Sequence, residues 1–318
     1  MASPAGAAEF SAVRGTPVVL VDLSDPPHGG LSTADPGAAP LPALVVGIRP
    51  SGLSGTPPSV AELVDLVVED PEPVLATVKA TPQAAVTLAL VLRASLTLPV
   101  PAGLAAESAA YSMLQAGAEF ARWRESSTAR RSAAPDPEPP VLVERTGDCL
   151  HITLNRPGRH NAVNTALQEG LVEALLVACA DPSIERVVFD GAGPSFCSGG
   201  DLAEFGTRPD PATAHLVRLT RSPARLLAAL GSRLEVRLHG ACIGAGVEMA
   251  AFAGRVVASP DTLISLPEVG LGLIPGAGGT VSLPRRIGRH RTAELALTRS
   301  PIDAATAQRW GLVDAVEP

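Results

Sequence analysis

The sequence has few cysteines, almost no lysine and no long apolar run. Its four cysteines are far apart and form no C-x-x-C pair, so the spacing of a zinc site is absent. A disulfide framework is not expected in a chain of 318 residues. We interpret the cysteines as small, reduced core residues of a cytoplasmic protein. Lys79 is the only lysine, which together with the excess of alanine and proline is typical of a GC-rich bacterial genome.

Charge and hydrophobicity exclude further classes of partner. The formal net charge is −7 and no run of basic residues offers a track for phosphates. Neither nucleic acid nor an anionic membrane surface is therefore an expected partner. The N-terminus lacks the basic and then apolar order of a signal peptide, and no apolar run reaches the roughly 18 residues that a membrane-spanning helix needs. We expect a cytoplasmic protein.

The chain is long enough for about two domains. Its clearest boundary is the segment 125–140, in which small, charged and proline residues cannot bury enough surface to fold alone. We interpret this segment as a linker. It separates an N-terminal α/β unit, residues 1–124, from a second unit, residues 141–318.

Strands and helices alternate in the second unit, which indicates an α/β fold with a largely parallel sheet. Its predicted strands are Val141–Arg145, Leu150–Leu154, Arg186–Asp190, Leu234–Leu238 and Leu263–Leu266. Its predicted helices are Asn164–Ala180, Thr213–Leu230, Glu248–Ala253 and Ala304–Trp310. In the N-terminal unit the pattern predicts strands at Val18–Asp22 and Leu44–Ile48, and helices at Val60–Val68, Ala84–Ala94 and Ala105–Trp123.

Four turn-rich segments of the second unit carry the informative motifs: 154–164, 193–202, 239–249 and 266–280. The third contains G-A-G-V-E, and the fourth contains P-E-x-G-L-x-x-x-P-G-A-G-G-T. Neither G-A-G run completes the G-x-G-x-x-G of a dinucleotide site, and a Walker lysine is absent. Ser198 is outside any G-x-S-x-G elbow, so a serine nucleophile has no support. We interpret His160 and His239 as structural.

The order and spacing of these segments resemble the crotonase (enoyl-CoA hydratase/isomerase) superfamily, from Val141 to the end of the sequence. The resemblance implies a crotonase-like ββα spiral that binds an acyl-CoA thioester. It also implies that no metal and no cofactor takes part, since coenzyme A enters with the substrate. By the habit of the family we expect a homo-oligomer, a trimer or a hexamer.

The chemistry of a thioester fits the residue types in the glycine-rich loops. When an α,β-unsaturated chain is attacked, the thioester oxygen gains negative charge, and two backbone N–H donors must point at it. Such donors need close approach, which favours glycine and alanine. The resemblance assigns them to Gly200 and Ala245, with Ala245 at a helix start. It further implies contacts with the substrate at Ala162, Gly199, Asp201, Leu202 and Gly244. For Asp201 the alternative is a structural role, in which its side chain holds the turn.

Two glutamates are the candidate acid and base. Glu248 follows Ala245 by three residues and should lie about one helical turn away on the same side. Glu268 comes from a separate strand and loop and would meet it across the pocket. Close carboxylates drive their pKa values apart, so an acid and a base can coexist near neutral pH. The resemblance implies that Glu248 holds and activates water, and that Glu268 donates a proton to C2.

We therefore predict an enoyl-CoA hydratase, a lyase that adds water across the double bond of a 2-enoyl-CoA. Isomerases of the family generally manage with one carboxylate, so the presence of both favours a hydratase. Two alternatives stay open: an enoyl-CoA isomerase or another enolate-forming crotonase reaction, and a non-catalytic acyl-CoA-binding subunit. Single Glu→Gln substitutions would discriminate between an enzyme and a binding subunit.

The sequence departs from the family at both ends. It stops at Pro318, where relatives usually continue into helices that cover the acyl pocket, and it has about 125 residues in front. We interpret these as a degenerate crotonase-like copy, in which Glu72–Lys79 echoes the strand Arg233–Leu238 and Leu88 lies opposite Glu248. The segment 104–123 resembles the late helices of the family. We expect the first half to pack on the second and replace the missing cover.

Overall fold

The computed structural model describes residues 9–13, 15–24, 41–49, 63–127 and 139–318. The N-terminal residues form a parallel sheet in the order β1-β2-β3, with β1 at Val18–Asp22, β2 at Leu44–Ile48 and β3 at Leu66–Val68. The first two strands are as predicted. The helix predicted at Val60–Val68 is wrong over β3, because Leu66 and Val68 are buried while the chain pairs with β2. Residues 60–62 lie outside the described residues.

Four helices follow this small sheet: α1 (Glu72–Ala80), α2 (Pro82–Ser95), α3 (Val100–Gln115) and α4 (Ala118–Ser126). The predicted echo of a strand at Glu72–Lys79 is wrong. That segment is helical, since its buried residues Val74, Thr77 and Val78 recur at helical spacing. The alignment of Leu88 with Glu248 therefore loses its basis, and the degenerate-copy interpretation stays a prediction.

The single helix predicted at Ala105–Trp123 is two helices. The break falls at Gly117, which has an extended backbone (φ −84°, ψ 159°) and precedes the first residue of α4. In the described part of the chain no single helix is long and apolar enough to cross a membrane. The pair α1 and α2 meets that test jointly, but the two are bent by 112°.

The main sheet of the second unit has six strands in the order β12-β9-β7-β6-β5-β4. These are β4 (Val141–Thr146), β5 (Cys149–Leu154), β6 (Arg186–Gly191), β7 (Leu234–Leu238), β9 (Arg255–Ala258) and β12 (Ala315–Val316). The β4–β5 hairpin is antiparallel and the other pairings are parallel. A second sheet has the order β11-β10-β8, with β8 at Ala241–Ile243, β10 at Leu263–Ser265 and β11 at Ile302–Asp303. This α/β fold with a largely parallel sheet is as predicted.

The helices of this unit are α5 (Thr165–Ala180), α6 (Pro211–Arg221), α7 (Ala224–Leu230), α8 (Ala245–Ala250), α9 (Gly279–Thr298) and α10 (Ala304–Trp310). The helix predicted at Thr213–Leu230 is broken at Pro223, because the residue before a proline avoids the helical region and Ser222 is extended. The helix predicted at Glu248–Ala253 begins earlier, at Ala245, since Gly244 (φ +51°) turns the chain into it. Helix α9 has a non-helical residue, Gly288.

Helices of the N-terminal unit pack directly on the second unit. Helices α2 and α3 lie against α9, and α3 also lies against α6. A single apolar core includes buried residues of both units, such as Leu88 and Phe120 on one side and Leu283 and Val269 on the other. The expected packing of the first half on the second is therefore observed.

The four cysteines are free, as expected, but they are not all core residues. Cys149, Cys197 and Cys242 are buried, whereas Cys179 is exposed. The exposure follows from its position on α5, whose buried positions are Leu167, Leu171, Ala174, Leu175 and Ala178. Cys179 lies off that face.

Candidate active site

One cavity of about 200 Å³ contains both predicted glutamates. Its wall is built from α3, the start of α5, the loop 200–208, α6, the start of α8 and the loop 276–277. The apolar part of the wall includes Val163, Phe205, Ala214 and Val217. The cavity therefore has an apolar side and a carboxylate side.

Glu248 lies in the short helix α8 and is 2% exposed. Its Oε2 accepts hydrogen bonds from the N–H of Ala277 (2.7 Å) and of Gly279 (2.9 Å). Burial, and then the nearby charges of Glu268 and Glu107, raise the pKa of Glu248 well above its ordinary value, while the two N–H donors oppose the rise. One oxygen of the carboxyl is thus fixed by the loop.

Glu268 begins a 3-10 turn (Glu268–Leu271) after β10 and is 8% exposed. Its Oε2 is buried and has no hydrogen-bond partner among the described residues. Its Oε1 lies so close to Gly244 that a Cβ there would come within 2.2 Å of it. Burial raises the pKa of Glu268 to about 7. A buried carboxyl oxygen without a partner is costly, and here it lies in a cavity that holds a second glutamate.

The predicted backbone donors line the same cavity. Val163 and Gly200 form a parallel bridge, in which Val163 N–H donates to Gly199 O (2.8 Å) and Asp201 N–H donates to Val163 O (2.9 Å). Since successive N–H groups of an extended chain point to opposite sides, the Gly200 N–H points away from this bridge. Ala245 is the first residue of α8, so its N–H has no partner within the helix.

Of the five predicted substrate contacts, one lines the cavity and four do not. Asp201 lines the cavity, but its Oδ2 accepts from Arg156 (3.1 Å) and its Oδ1 from Ala203 N–H (3.2 Å), as a residue that holds its turn does. Ala162, Gly199, Leu202 and Gly244 are neighbours of lining residues and do not themselves line the cavity.

Both histidines that we interpreted as structural bond within loops of the fold. His160 Nδ1 lies 2.9 Å from Ser195 Oγ, and His239 Nε2 lies 3.0 Å from Gly193 O. Neither lines the cavity that holds the glutamates.

Sequence reasoning missed a third buried carboxyl, Glu107 of α3. Its Oε1 accepts from Gly278 N–H (2.7 Å), and its Oε2 accepts from the N–H (2.8 Å) and the hydroxyl (2.7 Å) of Thr280. Glu248 binds the two alternate N–H groups of the same loop, those of Ala277 and Gly279. Burial raises the pKa of Glu107 to about 7 against these hydrogen bonds. The sequence does contain a signal for this residue, because Glu107 is the only charged residue of the otherwise uncharged helix α3.

Tyr111 and Gln115 of α3 also line the cavity, opposite Arg218 of α6. The guanidinium of Arg218 lies over the Tyr111 ring, 4.6 Å from its centroid. The N-terminal unit thus supplies part of the cavity wall. No motif indicated these three residues, because they belong to helices that are distant in sequence from the glycine-rich loops.

A mixed α/β fold and a cavity lined by two buried glutamates are compatible with an enzyme of crotonase type, and comparison with known proteins shows the family. The family model for enoyl-CoA hydratase/isomerase matches residues 144–318. The chain therefore belongs to the enoyl-CoA hydratase/isomerase family.

Curated relatives and solved structures match the same part of the chain. It is 38% identical over 178 residues to 2,3-dehydroadipyl-CoA hydratase of Escherichia coli (strain K12), covering 56% of this chain and 69% of that protein. It is 33% identical over 190 residues to mevalonyl-coenzyme A hydratase of Beauveria bassiana (strain ARSEF 2860), covering 57% and 65%. The enoyl-CoA hydratase structure from Thermoplasma volcanium GSS1 has a TM-score of 0.51 at 33% identity, covering 56% and 71%. The chain thus spans about two thirds of the length of these relatives.

Proposed function

We propose that the chain is a hydratase that adds water across the double bond of a 2-enoyl-CoA thioester, using Glu248 and Glu268. The observation that carries the proposal is that both carboxyls are buried in one cavity together with the N–H groups of Gly200 and Ala245. The two similar proteins described above as hydratases of CoA thioesters support the reaction type.

In this mechanism the thioester oxygen lies between the two backbone N–H groups, which stabilise the charge that develops on it. A water molecule lies between the two carboxyls. One carboxylate removes a proton from the water as its oxygen bonds to C3, and the other carboxyl delivers a proton to C2. The product is the 3-hydroxyacyl thioester, and atoms and charge balance without any further reactant.

The hydrogen bonds support a division of roles. The Oε2 of Glu248 is held by two N–H donors, which favour its carboxylate form and leave Oε1 to orient and activate water. The Oε2 of Glu268 has no partner among the described residues, so it is available to carry the proton that goes to C2. Because both groups are buried in one cavity, ionisation of one disfavours ionisation of the other.

The test follows loss of enoyl-thioester absorbance with crotonyl-CoA and with a longer 2-enoyl-CoA. Glu248→Gln and Glu268→Gln should each lower kcat by about 10²–10⁴-fold, the usual size of a general acid or base contribution. Thioester binding should persist. Turnover that is unchanged in either variant would refute the two-glutamate mechanism. Conversion of a 3-enoyl-CoA to a 2-enoyl-CoA without hydration would identify the chain as an isomerase.

Three further expectations belong to the proposal. The resemblance predicts a trimer or hexamer, a reaction that needs no cofactor besides the coenzyme A of the substrate, and a cytoplasmic protein. Sedimentation of the purified chain would test the first, and turnover after dialysis against chelator would test the second.

A further inference from the structure

Arg218 is the most buried cation in the wall of the catalytic cavity, and it is held there by a helix of the N-terminal unit. Its Nε donates to Ser108 Oγ (3.2 Å) and its Nη2 to Ser112 Oγ and to Ser108 O (3.5 Å). Its Nη1 makes only a long contact with Gln115 Oε1 (3.5 Å). The guanidinium is therefore held by three residues of α3, and Nη1 faces Gln115, which also lines the cavity.

The partners of Arg218 are all neutral. Among the described residues no carboxylate oxygen lies within ion-pair distance of it, whereas two other arginines with little exposure are paired, Arg156 with Asp201 and Arg93 with Asp65. Among the described residues, Glu107 is the carboxyl whose charge acts on Arg218, and its oxygens accept hydrogen bonds from Gly278 and Thr280. A partly buried guanidinium normally has a negative counterpart.

The hydrogen-bond inventory leaves room for such a counterpart. A guanidinium has five N–H donors, and the contacts above use four of them, the weakest through Nη1. The second N–H of Nη1 and the amide N–H₂ of Gln115 make no hydrogen bond to the described residues, and both residues line the cavity. Arg208, another cation of the wall, is exposed to solvent and so has less need of a partner.

We propose that Arg218 is a specificity-determining residue which binds a carboxylate at the distal end of the acyl chain, so that the preferred substrates are 2-enoyl thioesters of dicarboxylic acids. The inference rests on the hydratase function proposed for the same site. Apolar wall residues, Phe205, Ala214 and Val217, contact the methylene groups, while Arg218 Nη1 and Gln115 donate to the terminal carboxylate.

The test compares two six-carbon substrates that differ only at the distal end, 2-hexenoyl-CoA and 2-hexenedioyl-CoA. In the unaltered chain kcat/KM should be at least tenfold higher for the dicarboxylic thioester. Arg218→Gln should lower kcat/KM for that substrate by about 10–100-fold more than for 2-hexenoyl-CoA, the usual size of one charged hydrogen bond. Arg218→Lys, which keeps the charge without the planar fork, should retain part of the preference.

A matched control lies one turn further along α6. Arg221 is exposed and pairs with Glu169 on the surface, so Arg221→Gln should leave both substrates unaffected. An unaltered chain that prefers 2-hexenoyl-CoA would overturn the proposal, and this comparison needs no variant to fold. An equal loss on both substrates in Arg218→Gln would show instead that Arg218 only holds α6 to α3.

The outcome also separates this inference from the hydratase proposal. If neither substrate is hydrated, binding of the two thioesters by calorimetry still measures the preference and its loss in Arg218→Gln. Hydration of both substrates without a preference would leave the hydratase function standing and refute the role of Arg218.

Discussion

Replacing Glu107 with alanine should weaken the whole fold, because its carboxyl joins the N-terminal unit to the loop beneath Glu248. The substitution leaves three buried donors without an acceptor, the N–H groups of Gly278 and Thr280 and the Thr280 hydroxyl. At about 2 kcal/mol each, this loss is about 6 kcal/mol. Removing the buried carboxylate also removes its desolvation cost, which offsets part of this loss of stability. A pKa raised from 4.5 to about 7 corresponds to about 3 kcal/mol. The expected net loss is about 3 kcal/mol at pH 8.

The loss of stability caused by Glu107→Ala should be larger at low pH. Between pH 4.5 and about 7 the folded state keeps a proton on Glu107 that the unfolded state releases, so the stability this group contributes is present at low pH and falls as pH rises through about 7. Glu107→Ala should therefore cost about 2 kcal/mol more at pH 5 than at pH 8. Glu107→Gln keeps the shape without the titration, so it should destabilise less and remove this part of the pH dependence.

Tryptophan fluorescence can follow the unfolding of each unit separately, because the chain has one tryptophan in each unit. Trp123 of α4 and Trp310 of α10 both pack against the common core. Urea unfolding followed by fluorescence in Trp123→Phe and in Trp310→Phe backgrounds reports each unit separately. Glu107→Ala should lower both midpoints equally. A shift confined to the Trp123 signal would refute the inference that the two units share one cooperative core.

Two further predictions concern the carboxyl pair. Gly244→Ala should lower kcat by at least about 10²-fold, because its Cβ would fall 2.2 Å from Glu268 Oε1 and its φ is +51°. Gly231→Ala is the control, with a similar φ of +50° and open space around it, and steady-state rates that are equally reduced in both would contradict the steric argument. The pH profile of kcat/KM should fall as pH rises through about 7, because Glu268 then loses the proton that it delivers to C2. A fall near pH 4.5 instead would show that burial does not raise the pKa of Glu268.

Local signals in the sequence predict much of the second unit. Strand β7 and helix α10 have the predicted bounds, because buried runs and caps are properties of neighbouring residues. Local signals also explain two misses, since Pro223 and Gly117 mark the helix breaks. The apolar run before Val68 could not be assigned from local signals, because its hydrophobicity fits either a helix or a strand. Only the pairing with β2 makes it a strand.

The candidate site was only partly predictable, for a physical reason. Glu248 and Glu268 lie inside motifs whose glycines show where the backbone must approach closely. Glu107 and Arg218 act through contacts between helices, and such contacts leave no pattern in either helix alone. Glu107 is an isolated charge in an apolar helix, which indicates a buried partner without identifying it.

The position of α3 ahead of the second unit has a consequence for synthesis on the ribosome. Glu107 emerges 171 residues before Gly278, its first hydrogen-bond donor. At about 5–20 residues per second this interval is roughly 10 to 30 s. During that time the nascent α2 and α3 expose apolar faces whose partner, α9, has not yet been translated. The part of the cavity wall that α3 supplies is therefore synthesised before the residues that carry Glu248 and Glu268, so the complete cavity cannot form until most of the second unit has been translated.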